Sequence, residues 1–385
     1  MVAIRSIYNH KLSGIAGTSV FSFYMNSMLR FFIPVLLPFL IVSLNITVYL
    51  GSLLITAYWI GYTAMQIPSG IIADRIGLAR TAKIAFILMG AIFSLFYFFR
   101  SYSSIFIIQL LLGSLSATVF VADASLIQKA VSHRSRAIFV GIYQEGFFIG
   151  ASLGEFIILK TFSISFNFAF YFILAFLIVA AAFNFIYMIE PDVPRSDKRG
   201  KIDRRIVYVA MIRFAASFVY IGFITLFTTF IVYDSIVPYS SAYIYAWIPA
   251  AGGLLSSPLG GMVSRKLKKG KSIVSVFSVI ALASDIMYIN YAPVEAIFIL
   301  SFITGIFYGL YAGPSMSMAS DFSGSDRNLA ASSGILNFSA QVGGTISPLI
   351  IGFLFSIYGN FDLAFEITGI ISIIILIVPL IKLEL

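Results

Sequence analysis

Long apolar runs alternate with short polar interruptions along the whole chain. A helix needs about 20 largely apolar residues to cross the hydrocarbon core of a bilayer. Runs of that length predict twelve spans, at 14–40, 46–68, 81–99, 103–129, 137–159, 166–189, 206–233, 239–262, 272–291, 295–319, 328–355 and 361–383. Residues 1–13 read as a short basic tail carrying Arg5 and Lys11. The one long interruption, 190–205, is polar, Pro-containing and strongly basic. It divides the chain into an N-terminal six-helix bundle (1–189), a basic cytoplasmic linker (190–205) and a C-terminal six-helix bundle (206–385). Pro258, Pro314, Pro348 and Pro379 fall inside apolar runs. Membrane helices tolerate them, because neighbouring helices and polar side chains take up the freed carbonyls.

The most specific interruption is Gly70-Ile71-Ile72-Ala73-Asp74-Arg75-Ile76-Gly77-Leu78-Ala79-Arg80. Between two spans it reads as a tight hairpin, with glycines for the turn and charges at the water interface. It has a partner. Ile67-Pro68-Ser69-Gly70 with Asp74-Arg75 aligns with Ser257-Pro258-Leu259-Gly260 with Ser264-Arg265, and Gly141 to Gly154 aligns with Gly334 to Ser347. Two matches in the same order at nearly the same offset point to an internal repeat. Six helices per half make it a parallel repeat about an axis along the membrane normal, and such transporters bind substrate near the midplane between halves.

Composition agrees. The chain is 60% hydrophobic and 11% charged, against roughly 25% charged in soluble domains. The net charge of +9 could suggest nucleic acid, but its placement argues otherwise. With a cytoplasmic N-terminus, all but four of the 25 Lys and Arg fall on one side; the exceptions are Arg30, Arg100, Lys160 and Arg213. That positive-inside pattern predicts a multi-pass protein of the plasma membrane with both termini cytoplasmic and an attraction to anionic lipid, with no nucleic-acid partner. The chain has no cysteine, which excludes thiolate and iron–sulfur chemistry. The first run is too long for a signal-peptide core and is kept as a span.

On these residues the chain resembles the major facilitator superfamily over essentially its full length. The interruption is similar to the family's Gly-x-Leu-Ala-Asp-Arg-x-Gly-Arg-Lys pattern: Gly70, Ala73, Asp74, Arg75 and Gly77 match, Ile72 replaces Leu, and Leu78 and Ala79 replace the basic pair, with Arg80 one position late. In the second copy only Gly260 and Arg265 fit. The resemblance implies an all-α fold of twelve transmembrane helices in two pseudo-symmetric bundles, and secondary transport by alternating access. It also implies a cytoplasmic gating latch at Gly70, Asp74, Arg75, Gly77 and Arg80. The family's helix-4 Arg-x-x-x-Gly becomes Gln109 before Gly113, and the antiporter Gly-Pro pattern of helix 5 becomes Gly146, Gly150-Ala151 and Gly154-Glu155.

Three charged residues inside spans carry the candidate chemistry. Asp123 and Glu145 flank the helix 4–5 turn at similar depth, by the rise of 1.5 Å per residue. An ionised carboxylate in hydrocarbon costs several kcal/mol, so one that gains and loses a proton as access alternates is the simplest coupling device. Arg30, mid-helix and permanently charged, is their positive partner or an anion site. Arg213 reads as snorkelling to the interface and Glu155 as interfacial, while Asp285 and Glu366 rank below. Tyr24, Asn26, Tyr58, Gln144, Tyr220, Tyr245, Asn337 and Gln341 are polar candidates for the cavity lining. The expected activity is proton-coupled transport of a small organic solute by a functional monomer. Uptake of an organic anion and efflux of drug-like or metabolite molecules both stay open: Arg30 favours the first, the helix-5 glycines the second. No cofactor or metal is expected.

The rival class is an intramembrane enzyme, because Gly150-Ala151-Ser152-Leu153-Gly154 matches Gly-x-Ser-x-Gly. That motif needs a strand–turn–helix and a nearby histidine, and the two histidines, His10 and His133, lie outside the spans. No complete Gly-x-x-x-x-Gly-Lys-Ser/Thr phosphate loop occurs, so ATP is not the expected energy source.

Overall fold

Where the polar interruptions fall, the helices end. The computed structural model describes residues 2–130, 136–190, 201–234, 236–324 and 326–383. The basic stretch at 132–135 and most of the linker, 191–200, lie outside the described residues. The first half holds α1 (Val2–Arg30), α2 (Phe32–Leu44), α3 (Val48–Ile76), α4 (Leu78–Phe98), α5 (Tyr102–Ala130), α6 (Arg136–Phe162) and α7 (Phe166–Tyr187). The second holds α8 (Ile206–Tyr233), α9 (Ile248–Ser264), α10 (Gly270–Tyr288), α11 (Val294–Phe322), α12 (Asp326–Tyr358) and α13 (Asp362–Lys382). Short 3-10 turns occur at Tyr239–Ile244 and Ile289–Tyr291. α1 and α2 form one span interrupted at Phe31, so the helices make the twelve expected spans. Eleven are long and apolar enough to cross a bilayer by themselves; α9, with 17 residues, is the short one.

Three local expectations change. The segment 2–13 is not a tail but the beginning of α1. The interruption at 70–80 is mostly helix: α3 runs on to Ile76, and Gly77 alone makes the turn, with φ +97°. That conformation is open to glycine without a Cβ clash, so one residue suffices where the sequence suggested a loop. The eighth span begins late. Its expected first residues form the 3-10 turn, and Pro249 sits in the first turn of α9, where its missing N–H costs nothing.

The chain clusters into two compact units, Met1–Phe32 with Ile60–Pro194 and Ile33–Trp59 with Arg195–Leu385. In the first, α6 lies close against α1 at its glycines. A Cβ on Gly150 would lie 2.5 Å from the Tyr24 carbonyl oxygen and 3.1 Å from the Met28 nitrogen. In the second, a Cβ on Gly343 would lie 2.5 Å from the Phe214 oxygen and 3.1 Å from the Phe218 nitrogen. Each glycine thus meets the same pair of backbone atoms one helical turn apart. Small residues at such seams let membrane helices approach closely. The match sets the register of the repeat: Tyr24 corresponds to Phe214 and Gly150 to Gly343. α5 and α11 agree, being 29 residues each and starting at Tyr102 and Val294.

Candidate functional site

Polar side chains in an apolar bundle must find one another, and in the first unit they do so around Asp123 and Arg30. Asp123 lies in the last third of α5 and is wholly buried. Its carboxylate sits beside the Ser22 hydroxyl of α1. Ser22 Oγ in turn accepts a 2.9 Å hydrogen bond from Asn184 Nδ2 of α7. Arg30, at the last turn of α1, is 3% exposed. Its guanidinium carbon lies 4.6 Å from the ring centre of Tyr62 and 5.5 Å from that of Phe147. Such cation–π contacts are worth about 2 kcal/mol when desolvated. Tyr143 joins the two charges. Its buried ring stacks on Phe23 at 4.7 Å, its hydroxyl points to the Phe120 carbonyl at 3.4 Å, and it lies within electrostatic reach of Asp123, Tyr62 and Arg30.

The structure therefore places Arg30 and Asp123 in one neighbourhood, built by α1, α3, α5, α6 and α7. Glu145 lies on α6 between Tyr143 and Phe147 and is only partly buried. Among the aromatic and amide candidates, Asn26 donates to the Ser116 carbonyl at 2.6 Å, tying α1 to α5. Tyr24 and Tyr58 are buried, Tyr24 against Phe21 and Tyr58 against Trp59. Gln144 is partly buried. In the second unit, Tyr220 stacks on Tyr308 at 3.8 Å and donates to the Pro249 carbonyl at 3.0 Å. Tyr245 stacks on Phe298 at 4.2 Å. Gln341 Nε2 reaches Asn337 Oδ1 at 3.4 Å.

Two charged residues depart from expectation. Arg213 does not snorkel. It is 7% exposed, donates from Nε to the Leu336 carbonyl at 3.1 Å and from Nη1 to Ser315 Oγ at 2.9 Å, and lies over Tyr311. Partners inside the bundle hold it more cheaply than a stretched path to water. Glu155 is not interfacial either, at 1% exposed. At the gating segment, Asp74, Arg75 and Arg80 are exposed and Gly70 is half-buried. The first turn of α4 is capped from elsewhere: Glu190 Oε2 accepts from the Ala79 N–H at 2.9 Å, with its carboxylate close to Gly77. A carboxylate there also complements the positive end of the helix dipole. The Gly-x-Ser-x-Gly serine offers no nucleophile, since Ser152 lies inside α6 and donates to the Phe148 carbonyl at 2.6 Å.

Sequence reading missed Ser22, Tyr62, Tyr143, Phe147, Asn184 and Glu190. Asn184 carried a signal, an amide in an otherwise apolar helix. The rings of Tyr143 and Phe147 did not, because nothing in the chain distinguishes them from the other 58 Phe and Tyr residues around them.

No curated protein matches the chain. Among solved structures, it is similar to a bacterial homologue of the human lysosomal transporter Spinster in an inward-facing, unoccupied conformation. The identity is 15%, over 96% of this chain and 95% of that one, with a TM-score of 0.76. The occupied, inward-facing form of a bacterial Spinster homologue is similar at 16% identity, over 95% of each chain, also at 0.76. Likeness at this identity speaks for the fold. With twelve helical spans and a paired repeat on the page, the family follows from the sequence match, which covers residues 17–289 and again 248–384: the chain belongs to the major facilitator superfamily, as a membrane transporter and not an enzyme.

Proposed function

We propose that the protein couples proton movement to transport of a small organic solute, with Asp123 and Glu145 as proton-carrying groups and Arg30 as their positive partner. The observation that carries this reading is the burial of Asp123 in an apolar bundle, beside Ser22 and one tyrosine from Arg30. A permanently charged carboxylate at that depth costs several kcal/mol, and a reversible proton removes the cost in one half of the cycle. The cation of Arg30 favours an organic anion. The α6 glycines pack on α1, so they add no separate argument for export. The two halves, 1–189 and 206–385, alternate access in the cell membrane with both termini on the cytoplasmic side. Asp74, Arg75 and Arg80, set by Gly70 and Gly77, latch one state.

Reconstituted protein in liposomes tests this, with anionic and neutral organic solutes offered under an imposed pH gradient. Wild type is expected to accumulate an anion only with the gradient, and D123N and E145Q to lose that dependence. Accumulation indifferent to the gradient in wild type overturns coupling. For the latch, D74N is expected to increase cytoplasmic-side labelling of cavity cysteines introduced one at a time; unchanged labelling from both sides counts against it.

A further inference from the structure

The starts of α4 and α10 are corresponding places in the two halves. Each follows a residue of positive φ, Gly77 at +97° and Lys269 at +55°, and each borders a cavity. The first cavity, about 580 Å3, is lined among others by Gly77, Ala79, Arg80, Lys83 and Glu190. It holds an anion of its own: Glu190 Oε2 accepts from the N–H of Ala79, the second residue of α4, at 2.9 Å.

The second cavity, about 480 Å3, is built otherwise. The second residue of α10 is Lys271, and its N–H has no acceptor among the described residues. Arg205, Lys269, Lys271 and Lys382 line the space, with Asp321 as the one acid on the lining among the described residues. Lys271 Nζ meets Asp321 at 2.7 Å, and Arg205 meets Asp203 at 2.7 Å. Four cations thus face two acids. In the first half, Ile15 and Ala79 belong to one apolar cluster; by the register of the repeat they stand as Arg205 and Lys271 in the second. A lysine side chain crowds the backbone in the conformation that glycine takes freely. The chain nevertheless keeps Lys269 at a turn that the first half makes with Gly77. Leu267, Met318, Phe322 and Leu383 give the same cavity an apolar side.

We propose that this cavity binds a phosphate group, carried by an anionic lipid headgroup or free in solution, at a site of the second half separate from Arg30 and Asp123 and independent of proton coupling. One phosphate oxygen takes the place at α10 that Glu190 Oε2 takes at α4, accepting from the Lys271 N–H where the helix dipole favours negative charge. Lys269 and Lys382 meet the other oxygens as point charges. The apolar side suits the glycerol and first methylenes of a lipid. The proposed orientation puts the cavity at the cytoplasmic leaflet, where anionic lipids attract basic segments.

The test is the thermal midpoint of the full chain in detergent, titrated with short-chain phosphatidylglycerol, phosphatidylcholine or inorganic phosphate. Phosphatidylglycerol is expected to raise the midpoint as a ligand of the folded state does, and zwitterionic phosphatidylcholine is not. An equal rise with inorganic phosphate makes the ligand free phosphate; a rise with the lipid alone makes it a headgroup. K269Q/K382Q is expected to weaken binding about ten-fold or more, and D321N to tighten it about five-fold, by the contribution of one charge near a membrane surface. K83Q/K129Q, which removes the same charge from the first half, is expected to keep wild-type affinity. A midpoint that neither phosphatidylglycerol nor phosphate raises, or equal weakening in the two double variants, overturns the site. Glu384 lies outside the described residues; binding that appears only in E384Q gives the place to that carboxylate and overturns the site as well.

Discussion

α5 and α11 are the same helix used twice, and they solve the problem of polarity in a membrane in opposite ways. Asp123 and Ser315 are each the 22nd residue of their helix. Facing Asp123, the register set by the glycine contacts puts Phe23 where the second half has Arg213. Tyr143 stands where the second half has Leu336. In the first half those positions meet as a ring stack, Phe23 on Tyr143, and the charge is carried by α5 and by Arg30 farther along α1. In the second half they meet as Arg213 on the Leu336 carbonyl, with Ser315 as second acceptor. Arg30 in turn corresponds to Tyr220, which is tied to the Pro249 carbonyl. At this one position of the repeat, the first half keeps an acid without a close hydrogen bond and the second keeps a base whose bonds are closed. A closed network is rigid, whereas an acid with open bonds can change its proton count.

The largest effect is expected from D123N, which should lower gradient-driven accumulation about ten-fold or more by fixing the charge of a buried site. S315A should leave accumulation near wild type. Moving the acid sharpens the contrast: D123N/S315D is expected to stay uncoupled, because the carboxylate moved to α11 would pair with Arg213. Recovery of coupling in that double variant, measured in proteoliposomes, would break the comparison.

Arg213 should matter for stability instead. R213L loses two charge-assisted hydrogen bonds and is expected to cost about 2–3 kcal/mol, read as a lower thermal midpoint in detergent with transport still gradient-dependent. The glycine seams should respond alike in the two halves. Gly150→Ala and Gly343→Ala each force a methyl group toward a backbone oxygen at 2.5 Å. Each is expected to destabilise by about 1–3 kcal/mol, the usual cost of overpacking. A marked difference between the two midpoints would show that the halves are less equivalent than their contacts.

The smallest effects lie outside the spans. E190A removes the cap on α4 and should cost about 0.5–1 kcal/mol. Asp234, just past α8, is pushed up from 3.8 to about 6 by burial, with Asp362 adding to it. A carboxyl raised in the folded state stabilises when protonated. Its contribution is full below the ordinary value near 4 and is lost as pH rises through about 6. The thermal midpoint should fall across that window in wild type, and less so in D234N.

Much of this architecture was legible because a bilayer allows few solutions. Twelve apolar runs predicted twelve spans, since only helices satisfy their own backbone inside hydrocarbon. The repeat was legible because Gly150 and Gly343 answer the same steric demand, which no other residue meets. Arg30 and Asp123 were legible as candidates because charge inside a span needs a reason. Their surroundings were not. That Arg30 lies between Tyr62 and Phe147, or that Ser22, held by Asn184, lies beside Asp123, depends on which helix faces which. Apolar helices in lipid carry little amphipathic signal to say so, both of their faces being hydrophobic.

By itself, then, the sequence determined the solvent, the number of spans, the repeat and the family, because length, hydropathy and glycine spacing are local properties. Only the tertiary structure decided how each charge is held: Arg213 closed on a carbonyl and a serine, Glu155 buried, α4 capped by Glu190, and Asp123 buried beside Ser22. Those outcomes follow from contacts between residues far apart in the chain, and a helix in lipid is rotated to make them by packing rather than by its own pattern.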